Sequence, residues 1–202
     1  HVIQKLAREG ALLRVALRRP ELAGFLTSMG GVGQVTLMQA NVRDDDSVAR
    51  AIEGAGEVVN LAGIIYEKSR QSFTEVHALA PGRIGRAAAA AGVEKLVHVS
   101  AIGADAAAES AYARSKAAGE AALHEAYPQA TVLRPGIMFG PEDDFFNKFG
   151  ALARISPILP VFFNIRQRPK IHLEGLYPMP EIEAGTVHIQ PVHVDDVAQA
   201  VG

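Results

Sequence analysis

Short apolar runs alternate with segments of helical pattern up to about residue 135, and this alternation limits the fold more than any other feature. The runs are continuous, which is typical of parallel strands buried on both faces. Together they predict an α/β fold with a doubly wound parallel sheet. The predicted strands are residues 12–17, 35–39, 58–61, 96–99 and 131–133. The predicted helices are residues 1–9, 21–29, 44–53, 73–91 and 110–126, with a break at Pro81–Gly82 because proline lacks an amide proton.

Polar or small residues follow each predicted strand. They are Arg18 and Arg19, Asn41, Gly63, Ser100 and Arg134. Ligands of open parallel sheets bind at the edge where the carboxyl ends of the strands meet. We therefore expect these residues to line a ligand site.

Tyr112 and Lys116 lie four residues apart in a predicted helix, so their side chains share one helical face. An ammonium beside a phenol favours the phenolate, which predicts a lowered pKa for Tyr112 and a role in proton transfer. The spacing alone has a second interpretation, because Lys116 could pair with Glu120 on a solvated face. The choice depends on the surrounding residues.

Composition excludes several classes of function. The 202 residues carry a formal net charge of −2, and no long basic run marks a nucleic-acid partner. Cysteine is absent, which rules out disulfides and thiolate metal sites and fits a reducing compartment. No metal is expected, since the spacing of His188 and His193 in extended chain is not that of a helical metal pair. No apolar run approaches the roughly 20 residues that span a bilayer.

The alternation weakens after Gly140. A helix is expected over residues 145–155, irregular chain over 156–183, extended chain over 187–191 and a helix from Val194 to Val201. We therefore expect two parts: a principal domain over residues 1–150, and a partial, small irregular lobe over residues 151–202.

Three stretches then carry a family resemblance. They are Lys95-Leu-Val-His-Val-Ser-Ala-Ile-Gly-Ala104, Ser110-Ala-Tyr-Ala-Arg-Ser-Lys-Ala-Ala-Gly-Glu120 and Leu133-Arg-Pro-Gly-Ile-Met-Phe-Gly-Pro-Glu-Asp143. With the Asn60-Leu-Ala-Gly63 strand end, they resemble the short-chain dehydrogenase/reductase superfamily, in its atypical, extended, epimerase/dehydratase-like branch. Within that branch the chain looks most like the NADPH-binding accessory subunits of respiratory complex I and their bacterial relatives. The resemblance covers about residues 1–150 and resumes at Gln190 to Val197.

The resemblance implies a Rossmann-like sheet whose first, central strand carries a glycine-rich dinucleotide loop. His1-Val-Ile-Gln4 is similar to the residues that follow this loop, so we expect the strand and the loop to precede the given sequence. Gly30 to Gly33 is not a substitute, because it precedes a predicted strand, whereas the fingerprint follows one. The family also adds a C-terminal part on the substrate side, so we expect the lobe to be truncated.

The resemblance also implies a dinucleotide site. Its cofactor-binding residues would be Arg18, Arg19, Asn41, Val42, Leu61, Ala62, Gly63, Tyr112, Lys116, Arg134, Pro135 and Gly136. Arginine after the second family strand accommodates the 2′-phosphate of NADP, so NADP(H) is favoured over NAD(H), although a solvated basic turn is the alternative. Asn41 and Val42 match the adenine contact, and Gly63 lets backbone approach the cofactor.

The same resemblance assigns Ser100 as carbonyl polariser, Tyr112 as acid/base and Lys116 as ribose ligand and tyrosine tuner. Three functions stay open. The first is an accessory, structural NADP(H)-binding protein that contacts complex I subunits, cytoplasmic and peripheral on the inner face of a respiratory membrane. The second is an active NADP-dependent reductase or nucleotide-sugar epimerase/dehydratase. The third is a redox sensor that binds a partner through residues 156–186.

Overall fold

The computed structural model describes residues 1–69, 71–155, 171–172, 181–182 and 190–202. The chain forms two compact units, His1–Gly136 with Val194–Gly202, and Ile137–His193. The division by packing thus falls at Gly136, and the last helix belongs to the first unit; the functional boundary at residue 150 stays a prediction. The irregular segment expected at 156–183 and most of the extended segment at 187–191 lie outside the described residues.

Five strands of the first unit are parallel, as predicted. They are β1 (Leu13–Leu17), β2 (Val35–Gln39), β3 (Glu57–Asn60), β4 (Lys95–Val99) and β5 (Thr131–Leu133). β1 pairs with β2, with Leu13 opposite Val35, while β4 lies between β3 and β5. No described strand joins β1 to β3. In the doubly wound order 3-2-1-4-5 a further strand lies between the two strands that correspond to β1 and β3.

The described residues also form helices. They are α1 (Val2–Arg8), α2 (Asp45–Ile52), α3 (Ala80–Ala90), α4 (Ala111–Ala126), α5 (Asp144–Ile155) and α6 (Val194–Val201). All but α5 lie in the first unit. The side chain of Asp44 caps α2 by accepting a hydrogen bond from the Ser47 amide at 2.7 Å. A side-chain cap therefore satisfies one of the free amides at the start of α2.

The prediction of one helix over residues 21–29 is wrong. Two 3₁₀ segments, Pro20–Leu22 and Gly24–Met29, take its place. The hydroxyls of Thr27 and Ser28 donate to carbonyls three residues earlier, at 2.7 Å each. Such local bonds compete with the α-helical pattern and favour the tighter turn.

The predicted break at Pro81–Gly82 is also wrong. A π-helical turn, Thr74–Leu79, continues directly into α3, where Pro81 lies in the first turn. Proline is tolerated there because the amides of a first helical turn have no partner within their helix. The wider π-helical turn before it accommodates one additional residue. Turns of this kind are common at functional sites.

The core of the first unit joins helices α2, α3 and α4 to the sheet. Its buried side chains are Val48, Ile52, Ile84, Ala88, Val93, Leu96, Leu123, Tyr127 and Ala130. Tyr127 is 2% exposed, and its hydroxyl donates to the Val93 carbonyl at 2.6 Å. The end of α4 is therefore fixed by packing and by a buried hydrogen bond.

The described residues of the second unit form α5 and four short strands. β6 (Met138–Phe139) pairs with β9 (Val192–His193) in parallel, and β7 (Ile171–His172) pairs with β8 (Glu181–Ile182) in antiparallel. The Asp143 carboxylate accepts from the Phe146 amide at 2.8 Å at the start of α5. Of the helices in the described residues, none combines the length and apolar character that a bilayer crossing requires.

Candidate functional site

The ends of β1 and β2 border an open polar cavity of about 370 Å³. It is lined by Arg18, Gln39, Ala40, Asn41, Asp44, Ser47 and Arg50. The Asn41 amide donates to the Ser47 hydroxyl at 2.9 Å, and its side-chain oxygen accepts from the Arg43 amide at 3.2 Å. The fold thus brings Arg18 and Asn41 to one cavity. Arg19 is exposed beside it, while Val42 packs against the core.

The loop after β3 is held from within the sheet. The Asn60 side chain accepts from the Ala62 amide at 3.0 Å and contacts Nδ1 of buried His98 on β4, also at 3.0 Å. Leu61 and Gly63 are exposed in this loop. A Cβ atom added at Gly63 would lie 3.6 Å from Nζ of Lys116. The loop backbone therefore passes directly beside the lysine.

Helix α4 presents Tyr112 and Lys116 to this loop and to the end of β4. The Lys116 ammonium lies 5.9 Å from the centroid of the Tyr112 ring and donates to the Val99 carbonyl at 3.4 Å. Lys116 is 5% exposed and Glu120 is 7% exposed. The interpretation of Lys116 and Glu120 as a solvated surface pair is therefore wrong.

Arg134, not Lys116, is the ion-pair partner of Glu120. The Arg134 Nε donates to one Glu120 oxygen at 3.0 Å, and a second guanidinium nitrogen donates to the other oxygen. Burial would raise the pKa of Glu120, but the hydrogen bonds of Arg134, the nearby Ser100 hydroxyl and the charge of Arg134 outweigh it and hold that pKa below its usual value. Arg134 thus joins β5 to α4. The residues that follow it, Pro135 and Gly136, are partly buried, and the Pro135 carbonyl accepts from the Ile102 amide at 2.8 Å.

The pKa of Tyr112 is raised, because the phenol is partly buried and the charged form is disfavoured. The prediction that Lys116 lowers it is wrong, since the dominant effect on Tyr112 is loss of solvent. Burial also lowers the pKa of Lys116, against a smaller opposing effect of Glu120. Both groups are shifted toward their neutral forms.

Ser100 is buried at the end of β4. Its hydroxyl lies close enough to the Glu120 carboxylate to lower the pKa of that group, but it makes no hydrogen bond of ordinary geometry within the part of the chain that the structure describes. It does not bond to Tyr112, and Ser100, Tyr112 and Lys116 share one edge without forming a hydrogen-bonded triad. Buried polar groups are normally satisfied, so a hydroxyl without a well-formed hydrogen bond at a ligand edge is open to a ligand oxygen. Among the described residues, no group of three acidic or histidine side chains could hold a metal ion.

The sequence pattern did not indicate His77 as a site residue. It lies in the π-helical turn, is 2% exposed and accepts a hydrogen bond from the Ile64 amide at 2.9 Å. Its one sequence signal is its position four residues before Pro81, which cannot supply the usual helical bond to the His77 carbonyl.

Comparisons with known proteins place these residues in context. A family profile described as NAD(P)H-binding matches residues 1–144. The chain is 35% identical over 178 residues to the mitochondrial NADH dehydrogenase (ubiquinone) 1 alpha subcomplex subunit 9 of Dictyostelium discoideum, covering 87% of this chain and 49% of that protein. The mouse subunit of the same name is 38% identical over 150 residues, which is 74% of this chain and 40% of that protein. The chain thus spans less than half the length of either relative.

Solved structures support the fold. The triphenylmethane reductase of Citrobacter sp., complexed with NADP(H), superposes with a TM-score of 0.57 at 19% identity, over 75% of this chain and 49% of that one. At this identity the likeness concerns the Rossmann-like architecture and nothing further.

Proposed function

Since the chain belongs to the NAD(P)H-binding family, we propose that it binds one NAD(P)H along the carboxyl ends of its parallel strands. We further propose that it serves as an accessory nucleotide-binding protein of the complex I type. The observation that carries the proposal is the buried ammonium of Lys116. An ammonium has three donors, and its described acceptor, the Val99 carbonyl, lies at a long 3.4 Å. Donors therefore remain for the hydroxyls of a ribose.

The residues present fit a nicotinamide nucleoside. Ser100 offers a buried hydroxyl without a well-formed hydrogen bond, and Gly63 keeps free the space beside Lys116 that a side chain would occupy. Lys116 would hold the ribose, with the Tyr112 phenol beside it. Ser100 would bind a ligand oxygen, and the backbone of Leu61 to Gly63 and of Pro135 and Gly136 would border the ring. Arg134 would act indirectly, by fixing the position of the Glu120 carboxylate. When bound, the nicotinamide ring supplies hydride-transfer chemistry.

The adenosine end would lie at the cavity beside β1 and β2. Asn41 would meet the adenine edge, with Val42 behind it. Arg18 lines the cavity and Arg19 is exposed next to it, so both can reach a 2′-phosphate. Guanidinium groups pair with phosphate through two parallel hydrogen bonds. This supports NADP(H) over NAD(H).

The decisive experiment uses the native full-length protein. Denaturing the purified protein and identifying the released nucleotide by mass should give NADPH or NADP⁺ in stoichiometric amount. Release of NAD(H) would overturn the preference, and a protein that carries no nucleotide and takes up none would overturn the site.

The relatives named above motivate a position at a respiratory membrane, peripheral on its inner face, among complex I subunits. Native protein should then co-migrate with the complex after mild solubilisation of membranes. Recovery as a free protein from the same preparation would contradict this part of the proposal.

A second candidate, an active NADP-dependent reductase or epimerase, is favoured by one observation. The Ser100 hydroxyl makes no well-formed hydrogen bond at the edge that also carries Tyr112 and Lys116. The raised pKa of Tyr112 suits a proton donor better than a base. Tyr112→Phe should abolish any turnover and spare nucleotide affinity. Unchanged turnover in this variant, or no NADPH oxidation across a broad carbonyl panel, would overturn this candidate.

A further inference from the structure

His77 is packed between aromatic rings at the centre of the site. Its imidazole stacks on Phe73, with ring centroids 5.2 Å apart, and meets the Tyr112 ring edge-on at 5.1 Å. Phe73 also contacts Tyr112 edge-on at 5.7 Å. The imidazole plane is therefore fixed by packing before any hydrogen bond is considered.

This imidazole makes two of three hydrogen bonds that form a chain running in one direction. The Ile64 amide donates to Nε2 at 2.9 Å, so Nε2 carries no proton. In the neutral ring the proton then sits on Nδ1, which lies 3.1 Å from the Ser115 hydroxyl and donates to it. Ser115 in turn donates to the Tyr112 carbonyl at 2.7 Å. The chain of donors thus fixes the tautomer of His77.

This chain connects the two elements that border the nicotinamide end. Ile64 follows Gly63 in the loop after β3, and Ser115 and Tyr112 belong to α4. A Cβ atom added at Gly63 would lie 3.7 Å from Nε2 of His77, almost the same separation as from Lys116. The imidazole and the ammonium therefore border the same point of the loop.

The backbone of His77 makes a second contact with α4. A Cβ atom added at Gly119 would lie 1.8 Å from the His77 carbonyl oxygen, so a glycine is required at this crossing. The π-helical turn is thus held against α4 through both its backbone and its side chain. A shift of His77 would move the loop and the helix together.

We infer that His77 is a positioning residue, which as a neutral Nδ1-protonated imidazole holds the Gly63–Ile64 loop and the Tyr112–Lys116 face of α4 in the geometry that binds the nicotinamide ribose. This inference rests on the proposed function, and it identifies a residue that maintains the proposed nicotinamide site. Protonation at Nε2 would present a donor to the Ile64 amide and remove the bond. The charged group of α4 that faces His77 is Lys116, with the Tyr112 phenol beside it, and His98 faces it from β4.

The test divides the nucleotide into two halves. Binding of NADPH and of 2′-phospho-ADP-ribose, which lacks nicotinamide, is measured by calorimetry on the native full-length protein. His77→Leu should raise the Kd for NADPH about tenfold, the effect of one lost hydrogen bond of about 1.4 kcal/mol. The Kd for the fragment should stay within about twofold, because His77 does not contact the adenosine cavity. Equal changes for the two ligands, or no change for NADPH, would overturn the inference.

Two milder variants guard against a loss of folding. Ser115→Ala removes the acceptor on α4 alone, and His77→Gln supplies an amide that can accept from Ile64 and donate toward Ser115. Ser115→Ala should weaken NADPH binding selectively, while His77→Gln should recover most of the affinity lost in His77→Leu. His124→Leu, on the exposed face of the same helix, is the matched control and should change neither Kd. Failure of glutamine to rescue, with Ser115→Ala unaffected, would overturn the inference.

A spectroscopic readout separates positioning from mere packing. Long-range ¹H–¹⁵N correlation of the imidazole at neutral pH should show His77 with its proton on Nδ1. The opposite tautomer would overturn the inference while leaving nucleotide binding intact. If the wild-type protein binds neither NADPH nor the fragment, the proposed function itself fails, and this inference falls with it.

Discussion

The two ends of the proposed nucleotide-binding edge in the first unit are built differently. The open half comprises the cavity beside β1, β2 and the start of α2, with Arg18 and Asn41. The buried half comprises the ends of β3 and β4, the π-helical turn and the first half of α4, with His77, Ser100 and Lys116. Arg18 is exposed, whereas His77 is 2% exposed and Lys116 is 5% exposed.

Under the proposed function, the two halves recognise one ligand in two different ways. The open half presents flexible charged groups to solvent, and it loses little stability when one of them changes. The buried half fixes its groups through hydrogen bonds and close backbone contacts, so its geometry exists before the ligand arrives. We therefore expect substitutions in the buried half to change folding, and those in the open half to change ligand choice.

The largest expected effect is at Gly119, in the buried half. In Gly119→Ala the new methyl group would overlap the His77 carbonyl, which is backbone and cannot rotate away. We expect a loss of about 3 kcal/mol or more in the free energy of unfolding, at the upper end for overpacked cores. Urea denaturation measures it.

The matched control is Gly24→Ala. A Cβ atom there would meet nothing within 4 Å, so its free energy of unfolding should change by less than about 0.5 kcal/mol. Equal stability of the Gly119 and Gly24 variants would show that the close contact between the turn and α4 does not exist in solution.

The second expected effect is a loss of stability of the buried half at acid pH. Burial first, and the Lys116 charge second, lower the pKa of His77 and of His98 from 6.5 to about 4. Below pH 6.5 the unfolded chain binds protons that the folded chain does not, so stability falls as the pH falls from 6.5 toward 4. Between pH 6.5 and pH 5 the expected loss is roughly 1.5 kcal/mol for each histidine.

Urea denaturation at pH 7, 6 and 5 checks this dependence. His98→Gln should retain about half of the pH dependence, because the share of His77 remains. A free energy of unfolding that stays constant from pH 7 to pH 5 would mean that these histidines do not stay neutral when folded.

The sequence predicted the features of the open half and of the buried half to different extents. Parallel strands, their polar ends and the helical face of Tyr112 and Lys116 follow from local pattern, and all were predicted. The role of His77 was missed because it depends on a π-helical turn, which no periodicity encodes. The direction of the Tyr112 pKa shift was predicted wrongly, because sequence spacing reports proximity to Lys116 but not the loss of solvent around both groups. Likewise Glu120 pairs with Arg134, a contact made by the fold.

Arg18 tests ligand choice in the open half. Arg18→Ala should raise the Kd for NADPH about tenfold and leave that for NADH within about twofold, since the guanidinium would meet only the 2′-phosphate. Arg19→Ala is the matched neighbour, exposed but outside the cavity lining, and should have the smaller effect. Equal losses for the two nucleotides would refute the assignment of Arg18 to the phosphate.

The smallest expected effect concerns Asp44, which caps α2 beside the same cavity. Its carboxylate satisfies the Ser47 amide, and the Ser47 hydroxyl accepts from the Asn41 amide. Asp44→Ala should lower the free energy of unfolding by about 1 kcal/mol, while Asp44→Asn, an equally good cap, should nearly restore it. Asp46→Ala, in the first turn but not at the cap, should cost only about 0.3 kcal/mol, from the helix dipole.

The same cap can be tested for its effect on binding. If it also fixes the shape of the cavity, Asp44→Ala should raise the Kd for 2′-phospho-ADP-ribose and the Kd for NADPH by the same factor, because Asn41 moves and His77 does not. A selective loss of NADPH would instead mean that the two halves are mechanically joined, and the distinction between them would fail.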